Sequence, residues 1–111
     1  MLTEPASFVL TALMDGPRHG YGIVGEVVEL SAGRVRLRVG TLYGVLNRLV
    51  GDGLVELDQE EVQNGRSRRY YRLTGSGARA VTEEAERQAA NARAASERLR
   101  GWALRAGGGA A

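Results

Sequence analysis

Hydrophobic residues recur at helical spacing in the first part of the chain and predict two helices. The first helix is predicted over residues 4–15, where Pro5 suits the first turn and the glycine and proline at 16 and 17 end it. The second is predicted over residues 20–32, with Gly33 as its stop. The apolar positions behind these predictions are Val9, Leu10, Leu13 and Met14 in the first helix, and Ile23, Val24, Val27, Val28 and Leu30 on the buried side of the second.

The pattern then changes twice. Residues 34–39 read RVRLRV, a period of two that predicts a short strand with arginines on one face, placed at a sheet edge because it is short and basic. Thr41 is predicted to cap a third helix, which Asp52 and Gly53 close. The apolar stripe of this helix consists of Leu42, Val45, Leu46, Leu49 and Val50.

A β-hairpin is predicted next. Its strands cover residues 54–60 and 69–73, and the Asn64-Gly65 dipeptide between them is a strong signal for a tight turn. On the first strand Val55 and Leu57 are two residues apart and therefore lie on one face, and Tyr71 and Leu73 do the same on the second strand. The tip of the hairpin therefore carries Arg66 and Arg68, and Arg69 begins the return strand.

The last third of the chain predicts one long helix. Thr74 caps it, it extends to about Arg105, and residues 106–111 are expected to be frayed or disordered. Alternating steps of three and four define a heptad seam that is apolar except at one glutamine. The seam consists of Ala78, Val81, Ala85, Gln88, Ala92, Ala95, Leu99 and Trp102. Because alanine buries little area, this seam predicts a dimer contact that also uses the first helix of the partner.

The order helix, helix, strand, helix, hairpin is that of a winged helix-turn-helix. We therefore predict a mainly α fold with a small β-wing (α+β class) and a long C-terminal dimerisation helix. With 111 residues there is room for one modest core. The predicted division is a DNA-binding winged helix-turn-helix over residues 1–74, a dimerisation helix over 75–106 and a disordered tail over 107–111.

The third helix has the two faces that a DNA-reading helix needs. With its apolar stripe turned inward, its outer face carries Tyr43, Gly44, Asn47, Arg48 and Gly51. Asparagine can pair with adenine and arginine with guanine in the major groove. Each glycine costs about 1 kcal/mol in a helix, which a close approach to DNA would explain. Other interpretations stay open: a half-buried aromatic for Tyr43, a plain surface residue for Asn47, and a solvated or ion-paired arginine for Arg48.

Charge supports a polyanionic partner. All 15 basic residues are arginine, the net charge is +2, and residues 30–51 and 62–72 each carry four arginines without an acid. Arg66, Arg68 and Arg69 on the hairpin are therefore predicted to contact phosphates. The alternative is that these arginines reflect base composition or are simply solvated.

Composition argues against several other classes. With no cysteine and a single histidine, His19, the chain offers no recognisable nucleophile with its base, so we expect neither an enzyme nor a cofactor or metal. No apolar run approaches the ~18 residues of a membrane span, and no signal peptide is visible, so a cytoplasmic location is expected.

Three segments resemble the PadR family of transcriptional regulators. GTLYGVLNRL at residues 40–49, followed by DGLV at 52–55, resembles the family's recognition helix and the strand after it. RYYRLT at 69–74 with Gly77 resembles the second wing strand and the start of the C-terminal helix, and HGYGI at 19–23 resembles the opening of the second helix. The segments keep the family's order, and the resemblance extends over most of the chain.

The resemblance implies a homodimer that binds a pseudo-palindromic double-stranded DNA operator, usually as a repressor. It matches Tyr43 to the family's recognition-helix tyrosine and Arg48 to a commonly basic position, and it implies mainly structural roles for Gly20, Tyr21 and Leu42. At Gly44 this chain departs from many members, which have a bulkier residue or proline. The expected DNA-binding residues are Thr41, Tyr43, Gly44, Asn47, Arg48, Arg66, Arg68 and Arg69.

The expected dimerisation residues are Val81, Ala85, Ala92, Leu99 and Trp102. Some PadR relatives bind flat aromatic compounds at the dimer interface, so the resemblance also offers a hypothesis in which Trp102 stacks on a small aromatic effector. The other interpretation is that Trp102 anchors the dimer by burial. A winged helix used for protein interaction, without specific DNA readout, is the alternative function.

Overall fold

A computed structural model describes residues 2–107 and contains four helices and three strands. The elements in chain order are α1 (Glu4–Ala12), β1 (Arg18–His19), α2 (Gly20–Leu30), α3 (Val39–Gly51), β2 (Val55–Gln63), β3 (Arg66–Leu73) and α4 (Gly75–Ala106). The strands form one antiparallel sheet in the order β1-β3-β2. The predicted fold class, a winged helix with a small β-wing and a long C-terminal helix, is confirmed.

Three helices begin at a side chain that accepts a hydrogen bond from the first turn, as free backbone N–H groups require. The Oγ1 of Thr3 accepts from Ala6 N at 3.2 Å, and the Oγ1 of Thr74 accepts from Gly77 N at 3.0 Å. The predicted cap at Thr74 is therefore confirmed. The Nδ1 of His19 accepts from Gly22 N at 3.3 Å and caps α2, a role that the sequence analysis did not assign.

The core lies where the three short helices meet the base of the hairpin. Its fully buried side chains include Leu10, Ile23, Leu46 and Val55. The predicted helical stripes extend beyond this contact, because Leu30 and Val50 lie near the ends of α2 and α3 and are exposed. The expected burial of these two residues is wrong.

The predicted strand over residues 34–39 is wrong. Residues 34–38 are irregular, and Val39 already begins α3. Ser31 Oγ accepts a hydrogen bond from Val35 N at 2.9 Å, and Arg34 turns back to α1, where its Nη1 lies 3.5 Å from Glu4 Oε2. The polar groups of this segment therefore interact with α1 and with Ser31, and do not form the backbone hydrogen bonds of a strand.

The start of α3 also differs from the prediction. Its N-cap residue is Arg38, which makes no side-chain capping bond, so the predicted cap at Thr41 is wrong and Thr41 lies inside the helix. The sheet edge assigned to residues 34–39 is formed by β1, in which Arg18 pairs with Tyr71 and His19 with Tyr70. The sequence could not predict β1, because two residues are too few to show the alternating pattern of a strand.

The hairpin turns at the predicted dipeptide, but its strands are longer than predicted, because β2 continues to Gln63 and β3 begins at Arg66. The expectation that Arg69 begins the return strand is therefore wrong, and Arg66 and Arg68 lie within β3. Asn64 and Gly65 have φ angles of 53° and 75°, the left-handed conformation that this dipeptide favours in tight hairpin turns. A register shift between Leu57 and Gln59 interrupts the ladder where the hairpin leaves the core. Val55 is buried, but Leu57, two residues later, is exposed at this point.

Helix α4 is anchored at its first turn and then extends away. Gly77 is its one buried residue, and a Cβ there would lie 2.2 Å from the carbonyl oxygen of Leu54. The helix includes Ala106, and the predicted disordered tail over 107–111 lies, apart from Gly107, outside the described residues. Between residues 2 and 107, no helix is long and apolar enough to cross a membrane.

Candidate nucleic-acid interface

A cleft of about 480 Å³ lies between the N-terminus of α2, the first turns of α3 and the wing strand β3. It brings Tyr43 of the predicted recognition helix together with all three predicted wing arginines. The lining residues are His19, Gly20, Tyr21, Tyr43, Arg66, Ser67, Arg68 and Arg69. None is acidic, and most of their side chains can donate hydrogen bonds, which is the chemistry that phosphate oxygens accept.

Tyr43 forms the floor of this cleft and is 36% exposed. Its hydroxyl packs over Gly20, since a Cβ at that glycine would lie 2.8 Å from the Tyr43 oxygen. Gly20 is thus structural, as the resemblance implied. Tyr43 is exposed at the cleft, although the end of its ring packs against Gly20, and its hydroxyl can meet a ligand there.

The wing arginines differ in how strongly they are held within the chain. Arg69 Nε donates to Glu60 Oε1 at 3.0 Å, and Arg72 donates to Glu56 at 2.7 Å and to Asp58 at 3.1 Å. The hydrogen bond with Glu56 is the main reason that the pKa of Arg72 is raised. The acids of β2 therefore offset the charge of the inner wing arginines.

Arg66 and Arg68, nearer the tip, have no ion-pair partner within residues 2–107. They are the wing cations most available to an external anion. Because Arg69 is already paired with Glu60, its contact with a phosphate would require that pair to be shared or broken.

His19 is a cleft residue that the sequence analysis missed. Its Nε2 lies 3.5 Å from Arg68 Nη1, and its ring packs edge-on against Tyr70 with centroids 5.4 Å apart. The HGYGI segment indicated the start of a helix, and the position of His19 directly before Gly20 could have indicated its cap, but neither signal points to the wing. Tyr21 also lines the cleft and is 75% exposed, so it does not pack into the core of this chain.

The remaining predicted residues of α3 lie away from the cleft. Thr41, Gly44 and Arg48 line a second, shallow groove of about 330 Å³ between α3 and the start of α1, and Asn47 is exposed on α3. Arg48 has no ion-pair partner in the described part of the chain, so the ion-paired reading left open for it is not observed. The eight predicted residues thus form two groups: Tyr43 with the wing arginines, and the outer residues of α3.

Gly44 and Gly51 are not required by the packing of the chain itself. A Cβ at either position would meet nothing within 4 Å. This distinguishes them from Gly20 and Gly77, whose neighbours leave no room for a side chain. Across residues 2–107 there is also no group of three or more metal-ligating side chains that could hold a metal ion.

Comparison with known proteins gives the same family as the motifs. Residues 9–83 match the model of the transcriptional regulator PadR-like family. The chain is 46% identical over 56 residues to the transcriptional regulator Rv3488 of Mycobacterium tuberculosis, covering 50% of this chain and 51% of that protein. The alignment therefore spans about half the length of that relative.

Solved structures share the fold. A PadR family transcription regulator from hypervirulent Clostridium difficile superposes with a TM-score of 0.74 at 22% identity, covering 87% of this chain and 99% of that chain. Bacillus subtilis PadR, in complex with operator DNA, superposes with a TM-score of 0.62 at 22% identity, covering 70% of this chain and 44% of that chain. The family match includes α3, the wing and the start of α4. The chain belongs to the PadR-like family of transcriptional regulators.

Proposed function

We propose that this protein is a sequence-specific DNA-binding repressor that acts as a homodimer on a pseudo-palindromic operator. The observation that carries the proposal is the cleft in which Tyr43 of α3 meets the arginines of the wing. A winged helix that places a recognition helix in the major groove needs its wing on the same side, where it can reach the adjacent backbone.

The outer face of α3 would read the bases. Asn47 and Arg48 are exposed and can form bidentate hydrogen bonds with adenine and guanine. Gly44 leaves the helix backbone free to approach the groove closely, and Thr41, one turn earlier, can reach a phosphate. Tyr43 would contribute its hydroxyl at the border between α3 and the wing.

The wing would supply affinity that does not depend on sequence. Arg66 and Arg68 neutralise phosphates and release counterions, so each such contact steepens the fall of affinity with salt. Arg69 belongs to the same surface, but its ion pair with Glu60 makes its expected contribution smaller.

The projecting part of α4 would form the dimer. Leu99 is 63% exposed and Trp102 is 61% exposed, on a helix whose seam also carries Ala85 and Ala92. A second copy would cover these side chains, while Val81, which already packs partly on the core, would lie at the start of the contact. Together, two chains would place their α3 helices about one duplex turn, ~34 Å, apart.

In this arrangement residues 1–74 form the DNA-binding unit and residues 75–106 form the dimerisation helix. A planar aromatic effector stacked on Trp102 would change how the two α4 helices cross, and with it the spacing of the recognition helices. Titration of the protein with planar aromatic compounds tests this part. Absence of any change in the fluorescence of Trp102 would contradict it.

The main test is fluorescence anisotropy on DNA from upstream of the protein's own gene at several salt concentrations. We expect saturation at two chains per site, and weaker binding for Tyr43→Ala, Arg48→Ala and the double variant Arg66→Ala/Arg68→Ala. Arg93→Ala removes one positive charge from an exposed position on α4, as Arg48→Ala does from α3, and serves as its matched control, with binding unchanged.

Binding that ignores DNA sequence and is unaffected by the α3 variants would contradict the proposal. That result would favour the alternative in which the winged helix contacts a protein. A partner contact of that kind would lack the steep, log-linear dependence on salt that phosphate contacts produce.

A further inference from the structure

His19 is held in the cleft in one orientation. Its Nδ1 accepts the hydrogen bond from Gly22 N at 3.3 Å, its ring packs edge-on against Tyr70, and its backbone pairs with Tyr70 in the β1–β3 ladder. The Gly22 N–H is a backbone donor with a fixed direction, so Nδ1 must carry the lone pair. In the neutral ring the proton therefore sits on Nε2.

This tautomer sets two hydrogen-bond donors side by side. Nε2 lies 3.5 Å from Arg68 Nη1, and since both nitrogens carry protons, neither can accept from the other. An acceptor oxygen placed across the pair would accept from both donors. Because Arg68 is exposed and has no ion-pair partner within residues 2–107, its charge favours an anionic acceptor.

We propose that His19 and Arg68 together bind one backbone phosphate of DNA. The Nε2–H of His19 and the guanidinium of Arg68 donate to oxygens of the same phosphodiester, in the cleft that Arg66 and Ser67 also line. The inference rests on the proposed function and deepens it, because it assigns a specific partner group to a residue outside the recognition helix and the hairpin.

The site also has a positional consequence. His19 begins α2, whereas Arg68 lies on the wing, and the pairing of His19 with Tyr70 holds these two elements together. A phosphate bound by both residues fixes the wing relative to the helices that support α3. The contact therefore sets the register of the protein on the duplex backbone rather than its sequence preference.

His19→Asn separates this role from helix capping. Asparagine is among the preferred N-cap residues, so its Oδ1 can accept from Gly22 N, but the shorter side chain places no donor beside Arg68. We expect helix content and thermal stability close to those of the wild type, and affinity for a mixed-sequence duplex at low salt about three- to tenfold weaker. A mixed-sequence duplex suffices because a phosphate contact does not require the operator.

Arg68→Ala and the double variant complete the test. Arg68→Ala weakens binding and lowers the slope of log affinity against log salt by about 1, whereas His19→Asn leaves this slope unchanged because it removes no charge. If both residues bind one phosphate, the double variant is weakened much less than the product of the two single effects. Multiplicative effects would place them on separate phosphates and overturn the inference.

The histidine also gives a direct signal in the unmodified protein, because it is the only one in the chain. Long-range ¹H–¹⁵N spectra should show a protonated Nε2 and an unprotonated Nδ1 in the free protein, with the Nε2 resonance shifting when duplex is added. This measurement keeps the inference testable if His19→Asn fails to fold. Opposite protonation, or no shift at saturation, overturns it.

The outcomes also separate this inference from the proposed function. Wild-type affinity in His19→Asn, with weakened binding in Arg68→Ala, would overturn the role of His19 and leave DNA binding by the wing intact. If the wild type binds neither the mixed-sequence duplex at low salt nor the upstream DNA, both the proposed function and the inference are overturned.

Discussion

The helices in residues 2–84 and the helix in residues 85–106 are stabilised in different ways. The first region, which we call the body, contains every buried side chain of the described structure, including those of α1, α2 and α3 that meet around Leu46. The second, the projecting helix, contains no buried residue, although it is helical throughout. Helices in the body are stabilised by tertiary packing, whereas the projecting helix relies on alanine-rich sequence and on side-chain pairs along its own surface.

The difference indicates what each region needs from outside the chain. The body already has a closed core and presents polar donors at its cleft. The projecting helix exposes Leu99, Trp102 and Leu104, so these side chains contribute no burial free energy to it within one chain. Helix propensity alone supports such a segment only marginally. The body is thus suited to bind a ligand, and the projecting helix to bind another apolar surface.

The largest expected effect comes from placing charge on the projecting helix. In the double variant Leu99→Asp/Trp102→Asp we expect the dimer to dissociate, and operator affinity to fall by about 10²-fold or more because the two half-sites are no longer bound together. Sedimentation velocity and anisotropy measure the two effects.

The body should be unaffected in this variant. None of the side chains in or against its core comes from residues 85–106, so the thermal unfolding of the winged helix itself should remain cooperative. A variant that stays dimeric and keeps its operator affinity would contradict the assignment of the projecting helix as the dimer contact.

Next in size is the effect of a methyl group at the start of α4. Gly77→Ala would place a Cβ 2.2 Å from the Leu54 carbonyl oxygen, and the resulting displacement of α4 should cost the body about 3 kcal/mol of unfolding free energy. Urea denaturation checks this value.

Gly101→Ala is the matched control in the projecting helix. There the nearest atom to the new Cβ is the Nη1 of Arg105 at 3.3 Å, the end of a flexible side chain. The same substitution should therefore be neutral or raise helix stability by up to about 1 kcal/mol. Equal destabilisation by both variants would remove the distinction between the two regions.

A smaller effect, confined to one function of the body, is expected for Arg48→Ala. Loss of a bidentate base contact should cost about 2 kcal/mol in binding to the operator, with much less change on unrelated DNA and no change in oligomeric state. Competition anisotropy with both duplexes measures the ratio. An equal loss on both duplexes would identify Arg48 as a phosphate contact instead.

The smallest expected effect is at the N-cap of α4, within the body. Thr74 Oγ1 accepts from Gly77 N and donates to the Gly53 carbonyl at 2.7 Å, so Thr74→Ala should cost about 1 kcal/mol of stability. Thr74→Ser retains the hydroxyl and should remain close to the wild type. Chemical denaturation of the pair distinguishes the lost hydrogen bonds from the lost methyl group.

Sequence reasoning was accurate where the determining chemistry is local. The turn at Asn64 and Gly65 needs only two residues that tolerate a positive φ, and the cap at Thr74 needs only one hydroxyl and the next turn of helix. These features depend on neighbours along the chain, so the pattern alone could predict them.

It failed where the outcome depends on a distant partner. The alternation over residues 34–39 satisfies the strand pattern, yet a strand forms only beside a free sheet edge, and β1 occupies that edge through its pairing with Tyr70 and Tyr71. For the cleft, Tyr43 and the wing arginines were predicted one by one. Their neighbour His19 was missed because the HGYGI segment indicates only where α2 begins, and nothing in it shows that the wing arginines lie beside it.

Chemistry along the chain therefore decides the kinds of element, their order and the side chains that each presents: amphipathic helices, an arginine-bearing hairpin and a long alanine-rich helix. These properties follow from side-chain periodicity and from turn and capping residues, all of which act over a few positions. Only the folded chain decides which donors meet, because the 3.5 Å between His19 Nε2 and Arg68 Nη1 results from strand pairing and core packing across many intervening residues.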